Sequence, residues 1–191
     1  MTETTRVMAK TAIYRSIPLA LLTVLVGSHL SANVLADEAK GQWLPLFVIE
    51  RSNSKNRVHY DLAVDAQCKP LGDEPVKIYW HMLEEGPDVT EGLNLIERVR
   101  AYGLKFQKRV DGWVHFRFKA YPSRLARARS YEKDGRCRAE LWAEVDGQDA
   151  IIERIWVKVE HPHWWKLPTV PFVDAFAHTE DGKAIRERIV P

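Results

Sequence analysis

The chain has 191 residues, with 28 Lys+Arg against 26 Asp+Glu. Setting aside the first 36, which hold Arg6, Lys10 and Arg15 against Glu3, balances the two signs. That leaves no basic footprint for nucleic acid or for an anionic membrane surface. The remaining ~155 residues are the size of one domain with its own core.

The N-terminus has the order of a secretory signal peptide. A basic stretch (Arg6, Lys10, Arg15) precedes a nearly unbroken apolar run, Ile17 to Val26, and a small-residue exit, Val34-Leu35-Ala36, precedes Asp37 and Glu38. The run is short of the roughly 20 apolar residues a spanning helix needs. Cleavage is expected after Ala36, with an uncleaved anchor as the alternative. The exit has no Cys for a lipid and no twin-arginine pair precedes the run, so the expectation is export by the general secretory route to the periplasm or beyond. No later segment reads as a membrane span. Residues 37–191 then form a single β-rich domain with a C-terminal Trp/Pro segment and a closing hairpin. In an oxidising compartment the lone pair Cys68 and Cys137 is expected to form a disulfide, since Cys-x-x-Cys spacing for redox chemistry is absent.

In chain order, Leu44 to Arg51 is apolar and β-branched. A polar turn, Ser52 to Asn56, leads into Arg57 to Asp65, where Val58, Tyr60, Leu62 and Val64 alternate with outward residues. Val76 to Leu83 places Val76, Ile78, Trp80 and Met82 on one face. Asp88 and Glu91 then read as a capping box, and Leu93, Ile96, Val99 and Tyr102 as the apolar face of a short helix stopped by Gly103. Strands resume at Leu104. Asp111-Gly112, Asp134-Gly135 and Asp146-Gly147 are hairpin signals. Val114, Phe116 and Phe118 point inward from one strand; Cys137, Ala139, Leu141, Ala143 and Val145 from another; Ile155, Val157 and Val159 from a third. Arg124 to Tyr131 is an Arg-rich strand. Phe172 to His178 and Ala184 to Val190 make the last hairpin, with a helix over Asp181 to Ile189 as the alternative. This pattern predicts a mainly β protein. Its expected form is an antiparallel meander of about nine to ten strands closing into a barrel, with a β-sandwich as the alternative and one short helix after the third strand.

Three strings and the tail, LFVIERSNSKNRVHYDL (Leu46 to Leu62), KIYWHMLEEG (Lys77 to Gly86), LNLIERVRAYG (Leu93 to Gly103) and VDAFAHTEDGKAIRERI, resemble a bacterial family known as the domain of unknown function numbered 4833. The resemblance implies export and a β-rich domain. It carries no activity, cofactor or catalytic residue.

Candidate ligand-binding residues fall into two groups. Glu50, Arg51, Asn56, Tyr60 and Asp61 bracket the first hairpin, where they could orient a polar ligand or simply pair and serve the turn. Trp80, Glu97 and Tyr102 lie where the helix would plug or lid a barrel mouth, and Phe116 would line the interior. His161-Pro162-His163 is compatible with a shared metal, but no ligand set completes it, and no metal or other cofactor is expected. Nucleophile-elbow, phosphate-loop and zincin motifs are absent, so no catalytic residue is assigned.

The preferred reading is a non-catalytic binding module for a small apolar or amphipathic molecule held among inward aromatics. The first alternative is an envelope interaction or structural module, motivated by outward Trp113, Trp142 and Trp156. The second is a hydrolase of envelope material working through a carboxylate such as Glu50 or Asp61.

Overall fold

The computed structural model describes residues 41–161 and 168–191. The expected signal segment, and the Trp164-Trp165 pair of the tail, lie outside these residues. The fold is mainly β. Its strands are β1 (Gln42–Arg51), β2 (Ser54–Val64), β3 (Val76–His81), β4 (Thr90–Gly92), β5 (Leu104–Val110), β6 (Trp113–Phe118), β7 (Tyr121–Lys133), β8 (Arg136–Val145), β9 (Gln148–Val157), β10 (Val173–His178) and β11 (Ala184–Ile189).

Local chemistry explains most of these elements. The three Asp-Gly hairpins adopt positive φ at both central residues: 49° and 81° at Asp111-Gly112, 54° and 69° at Asp134-Gly135, 51° and 72° at Asp146-Gly147. This left-handed backbone conformation gives the turn a twist that matches the flanking strands. The clean alternation in β2 buries Val58, Tyr60, Leu62 and Val64 completely. The last segment is a hairpin, with Val173 opposite Ile189 and His178 opposite Ala184, and not the alternative helix.

The strand order is β4-β3-β2-β1-β9-β8-β7-β6-β5. Two meanders, β1 to β4 and β5 to β9, are joined by a parallel pair, Val48 to Arg51 against Arg154 to Val157. The expected single meander closing into a barrel is therefore corrected. The sheet curls strongly into a half-barrel, and its ends, β4 and β5, do not meet.

The sheet changes partners at β9. One edge of this strand pairs β8 through Gln148 to Ile152, then β1 through Arg154 to Val157, while the opposite edge pairs β10 along nearly its whole length. The sheet forks between Ile152 and Arg154. Here Ile152 faces Ala177 and Arg154 faces Phe176, leaving Glu153 as an extra residue. Such a bulge bends the strand and re-aims the side chains beyond it. Ala150 and Ile152 point into the core before the bulge, and Ile155 and Val157 pack on it afterwards. Arg154 and Trp156 are thereby turned outward.

The gap between the sheet's ends is crossed by Leu93 to Gly103, where a short helical run over 95–101 differs from the expected helix in its start and its packing. Thr90–Gly92, read as the start of a helix, is strand β4 paired with Tyr79–His81. The reciprocal capping bonds form later: Asn94 Oδ1 accepts the Glu97 N–H and Glu97 Oε2 accepts the Asn94 N–H, both at 3.0 Å. They lead into a five-residue π-turn, Glu97–Ala101. Gly103 ends it because a Cβ there would lie 1.7 Å from the Arg98 carbonyl oxygen. Leu93 is buried and Tyr102 packs on the core, but Leu95 and Ile96 are 76% and 73% exposed and Val99 is 50% exposed. The expected Leu93–Ile96–Val99 face therefore does not cover the core as a plug.

Cys68, in the β2–β3 connection, is disulfide-bonded to Cys137 on β8. The Ser130 hydroxyl on β7 donates to the Cys68 carbonyl at 2.6 Å. These links pin the β2–β3 connection across the opposite wing of the curled sheet.

Candidate functional site

The nine residues singled out from sequence go to four different places. Tyr60 and Phe116 have no exposure and belong to the core. The Tyr60 ring stacks on Phe47 with centroids 4.2 Å apart, and its hydroxyl donates to the Tyr102 carbonyl at 2.7 Å. Phe116 packs edge-on against Phe106 and Phe118. The inner face of the sheet is thus filled where the barrel reading required a ligand cavity to be lined.

Around this core end, Arg51, Trp80 and Tyr102 do come together. The Arg51 guanidinium sits 4.4 Å from the centre of the Trp80 ring, and Trp80 meets Tyr102 edge-on at 5.2 Å. Burial pushes the Tyr102 phenol up. Asn56 is buried, its Oδ1 accepting the Glu84 N–H at 2.9 Å. Glu84 in turn accepts the Lys55 N–H at 2.8 Å, which pulls its carboxyl below the ordinary range. Glu97 is engaged in the capping bonds. These groups brace the first hairpin and the Leu93–Gly103 crossing against the core.

Asp61 faces the other side of β2, where its Oδ2 accepts the Tyr79 hydroxyl at 2.9 Å. Desolvation, aided by that hydrogen bond, pushes the Tyr79 phenol up to about 12. Neighbouring His59 is pulled down by burial and by His81. His161 Nε2 accepts from Asn53 Nδ2 at 3.2 Å, while His163 lies outside the described residues.

Glu50 is the one sequence candidate that leads to a groove. It pairs with Arg57 and with Arg154, both at 3.1 Å. Arg154 belongs to the outer face of β9, β10 and β11, where Arg154, Trp156, Phe172, Asp174, Phe176, Arg186 and Arg188 line a groove of about 310 Å³. The strand registers build this face. Asp174 lies opposite both Trp156 and Arg188, and Phe176 opposite both Arg154 and Arg186.

At the groove's centre, the Asp174 side chain is only 2% exposed, whereas those of Arg186 and Arg188 are about half exposed. Arg188 donates from Nε to Oδ1 at 2.9 Å and from Nη2 to Oδ2 at 3.0 Å, and Arg186 Nη2 donates to Oδ2 at 2.6 Å. The Arg188 hydrogen bonds, opposed by desolvation and reinforced by Arg186, hold the Asp174 carboxyl down to about 2. The guanidinium planes lie on aromatic rings: Arg154 is 3.9 Å from the Phe176 centroid and Arg188 is 3.8 Å from that of Phe172. One buried carboxylate thus orients two arginines, Glu50 orients a third, and Phe172, Trp156 and Phe176 form the floor. Donors not used by the carboxylates remain on the three arginines that line the groove, a set suited to bidentate recognition of an anion.

Sequence reasoning named none of these seven residues as a ligand site. The signal was present as three i, i+2 pairs, Arg154/Trp156, Asp174/Phe176 and Arg186/Arg188, each on one face of its strand. Their convergence depends on β9 pairing with β10 across a long connection, which no local pattern encodes.

The outward tryptophans are not bare. Trp113 meets Trp142 edge-on at 6.2 Å, and the Arg129 guanidinium lies 5.0 and 5.1 Å from their centroids. Glu140 accepts from Arg129, Tyr131 and Trp142 Nε1. Trp156 packs against Phe172 at 5.8 Å. A second groove of about 290 Å³ lies among Asp73, Glu74, Phe106, Lys108, Arg109, Val114 and His115. No helix among the described residues is long and apolar enough to cross a membrane.

No curated protein matches the chain, and no solved structure does. A family model does match, over residues 47–188, which take in β2 to β10 entire and nearly all of β11 together with half of β1. The chain belongs to the family described as Domain of unknown function (DUF4833).

Proposed function

We propose that the protein is an exported, non-catalytic binding module that holds a small amphipathic molecule on the outer face of β9, β10 and β11. The observation that carries this reading is the groove lined by Arg154, Asp174, Arg186 and Arg188 over an aromatic floor. It offers apolar surface and oriented charged donors in one place, the combination that fixes a ligand and its orientation. The filled inner face moves the proposed site from the interior aromatics to this outer face. The carboxylates considered for hydrolysis are occupied, Glu50 by two arginines and Asp61 by Tyr79. That favours binding over acid–base work.

The test is native mass spectrometry of the chain expressed for export in a bacterial periplasm, compared with its denatured mass. The expected result is an excess mass that leaves on denaturation and a denatured mass lacking the first 36 residues. No excess mass after expression, nor after incubation with an envelope lipid and metabolite extract, would overturn the binding reading. Retention of the N-terminal segment would overturn cleavage at Ala36.

A second reading, an envelope interaction module, draws on Leu95, Ile96 and Val99. They form the most exposed large apolar cluster among the described residues.

A further inference from the structure

We infer that the groove on β9, β10 and β11 recognises a phosphate monoester on a molecule whose remainder is apolar or aromatic. This rests on the proposed binding function and names its ligand class.

The argument is charge, geometry and floor. The groove sets Arg154, Arg186 and Arg188 against the single carboxylate of Asp174. Including the neighbouring Glu50 and the Arg57 it shares leaves the same excess of two positive charges. A carboxylate or phosphodiester ligand supplies one negative charge. A phosphate monoester supplies about two above its second pKa of ~6, with three acceptor oxygens. The Nη2 atoms of Arg186 and Arg188 both bond Asp174 Oδ2, at 2.6 and 3.0 Å, so the two guanidiniums are held side by side by one atom. Asp174 uses Nε and Nη2 of Arg188 and only Nη2 of Arg186. The unused donors therefore belong to adjacent groups whose orientation is already fixed, and fixed guanidinium forks suit phosphate better than they suit a point contact. Trp156 and Phe172, packed at 5.8 Å, continue the floor where an apolar remainder would lie.

The experiment is calorimetric titration of the full chain with phenyl phosphate and with benzoate. It is run at about pH 5 and about pH 7.5, on either side of the phosphate's second ionisation near ~6. Phenyl phosphate is expected to bind about tenfold more tightly at the higher pH, following the dianion fraction, while benzoate shows no such rise. The other ionisable groups on this face are Asp174, Glu50, Glu153, Lys158, His178 and the arginines. His178 pairs with Glu153 at 2.9 Å.

Arg154→Gln and Arg186→Gln are each expected to weaken phenyl phosphate binding about tenfold, the worth of one charge-assisted contact. Both variants leave the carboxylates partnered, Glu50 by Arg57 and Asp174 by Arg188, so folding is expected to survive. Vesicles of phosphatidylcholine with and without phosphatidate separate the sources. Arginine-dependent sedimentation only with phosphatidate assigns a lipid headgroup, and phenyl phosphate binding without sedimentation assigns a soluble ester.

Equal binding of benzoate, or binding untouched by both variants, would overturn the inference. So would failure to bind phenyl phosphate while the native mass spectrum carries a released ligand, and in that case the binding reading stands alone. Failure of both measurements removes both.

Discussion

Arg188 and Asp174 sit directly opposite one another on β11 and β10, and Arg188 grips both carboxylate oxygens, at 2.9 and 3.0 Å. The carboxylate is buried while the guanidinium is half exposed. The pair thus braces the two strands of the closing hairpin on their outer face and sets the arginine geometry of the groove.

Asp174→Ala should destabilise the protein by about 1–2 kcal/mol. A hydrogen bond to a charged group contributes about 1.5–3 kcal/mol, reduced here because the half-exposed arginines can return to water. Urea unfolding would measure this. A loss below a few tenths of a kcal/mol would mean that the hairpin is held by its backbone ladder alone.

The same pair predicts acid sensitivity. The Asp174 carboxyl is lowered from its ordinary 3.8 to about 2. A depressed folded-state value contributes stability that is complete above about 4 and is lost as pH falls toward about 2, since the unfolded chain takes up the proton first. Glu187, held below its ordinary range chiefly by Arg124, acts in the same direction. Acid unfolding followed by circular dichroism should show the Asp174→Asn variant with a flatter pH dependence in that window. Parallel curves for the variant and the native chain would exclude Asp174 as a source.

Replacing both Cys68 and Cys137 with Ala should cost up to about 4 kcal/mol, the chain-entropy value for a loop of this length. The residues are 69 apart in sequence and join the β2–β3 connection to β8. Thermal unfolding of the oxidised protein and the double variant tests this. Greater hydrogen exchange is expected first at Ala66 to Pro75, which would lose its covalent anchor and keep the Ser130 bond to the backbone carbonyl at position 68.

Much of the fold was legible because its signals are local. Strict alternation identified the inward faces of β2, β6 and β8, and Asp-Gly placed three hairpins. Closure of the sheet was not legible. The parallel β1–β9 pair joins residues about a hundred positions apart at the fork beside Glu153, and alternation is silent on which edges meet. The Leu93–Gly103 crossing was legible only in part for a related reason. Its apolar residues have helical spacing and helical backbone does run over 95–101, but the β3–β4 pairing takes Thr90–Gly92 into the sheet, so the helical turn starts later and is shorter than expected. Of the candidate site residues, Tyr60 and Phe116 were chosen as inward aromatics and became core. Glu50 reached the groove only through its bond to Arg154.

Tyr60→Phe should cost about 1–2 kcal/mol, because it strips the Tyr102 carbonyl of its hydroxyl donor at a part-buried position. The ring stacking on Phe47 is retained, so the loss reports the hydrogen bond. Amide exchange should quicken across Leu93 to Gly103 before it does in β2. Uniform quickening would mean that the crossing folds with the sheet as a single unit.

The fork at Glu153 allows a test that separates backbone from side chain. Glu153→Ala removes only an exposed carboxylate whose partner is His178, and surface pairs of this kind contribute about 0–1 kcal/mol. Deleting Glu153 takes out the extra residue itself. Ile152 and Arg154 would then be neighbours opposite the neighbours Ala177 and Phe176, so regular alternation keeps Ala150, Ile152, Ile155 and Val157 inward and Arg154 and Trp156 outward. What the deletion removes is the bend that a bulge gives its strand. Both variants are therefore expected to keep chemical-shift dispersion in a proton–nitrogen NMR spectrum, with the shifts of the deletion concentrated where β9 leaves β8 for β1. A deletion variant that loses dispersion would show that the bend at Glu153 is what allows the sheet to fork.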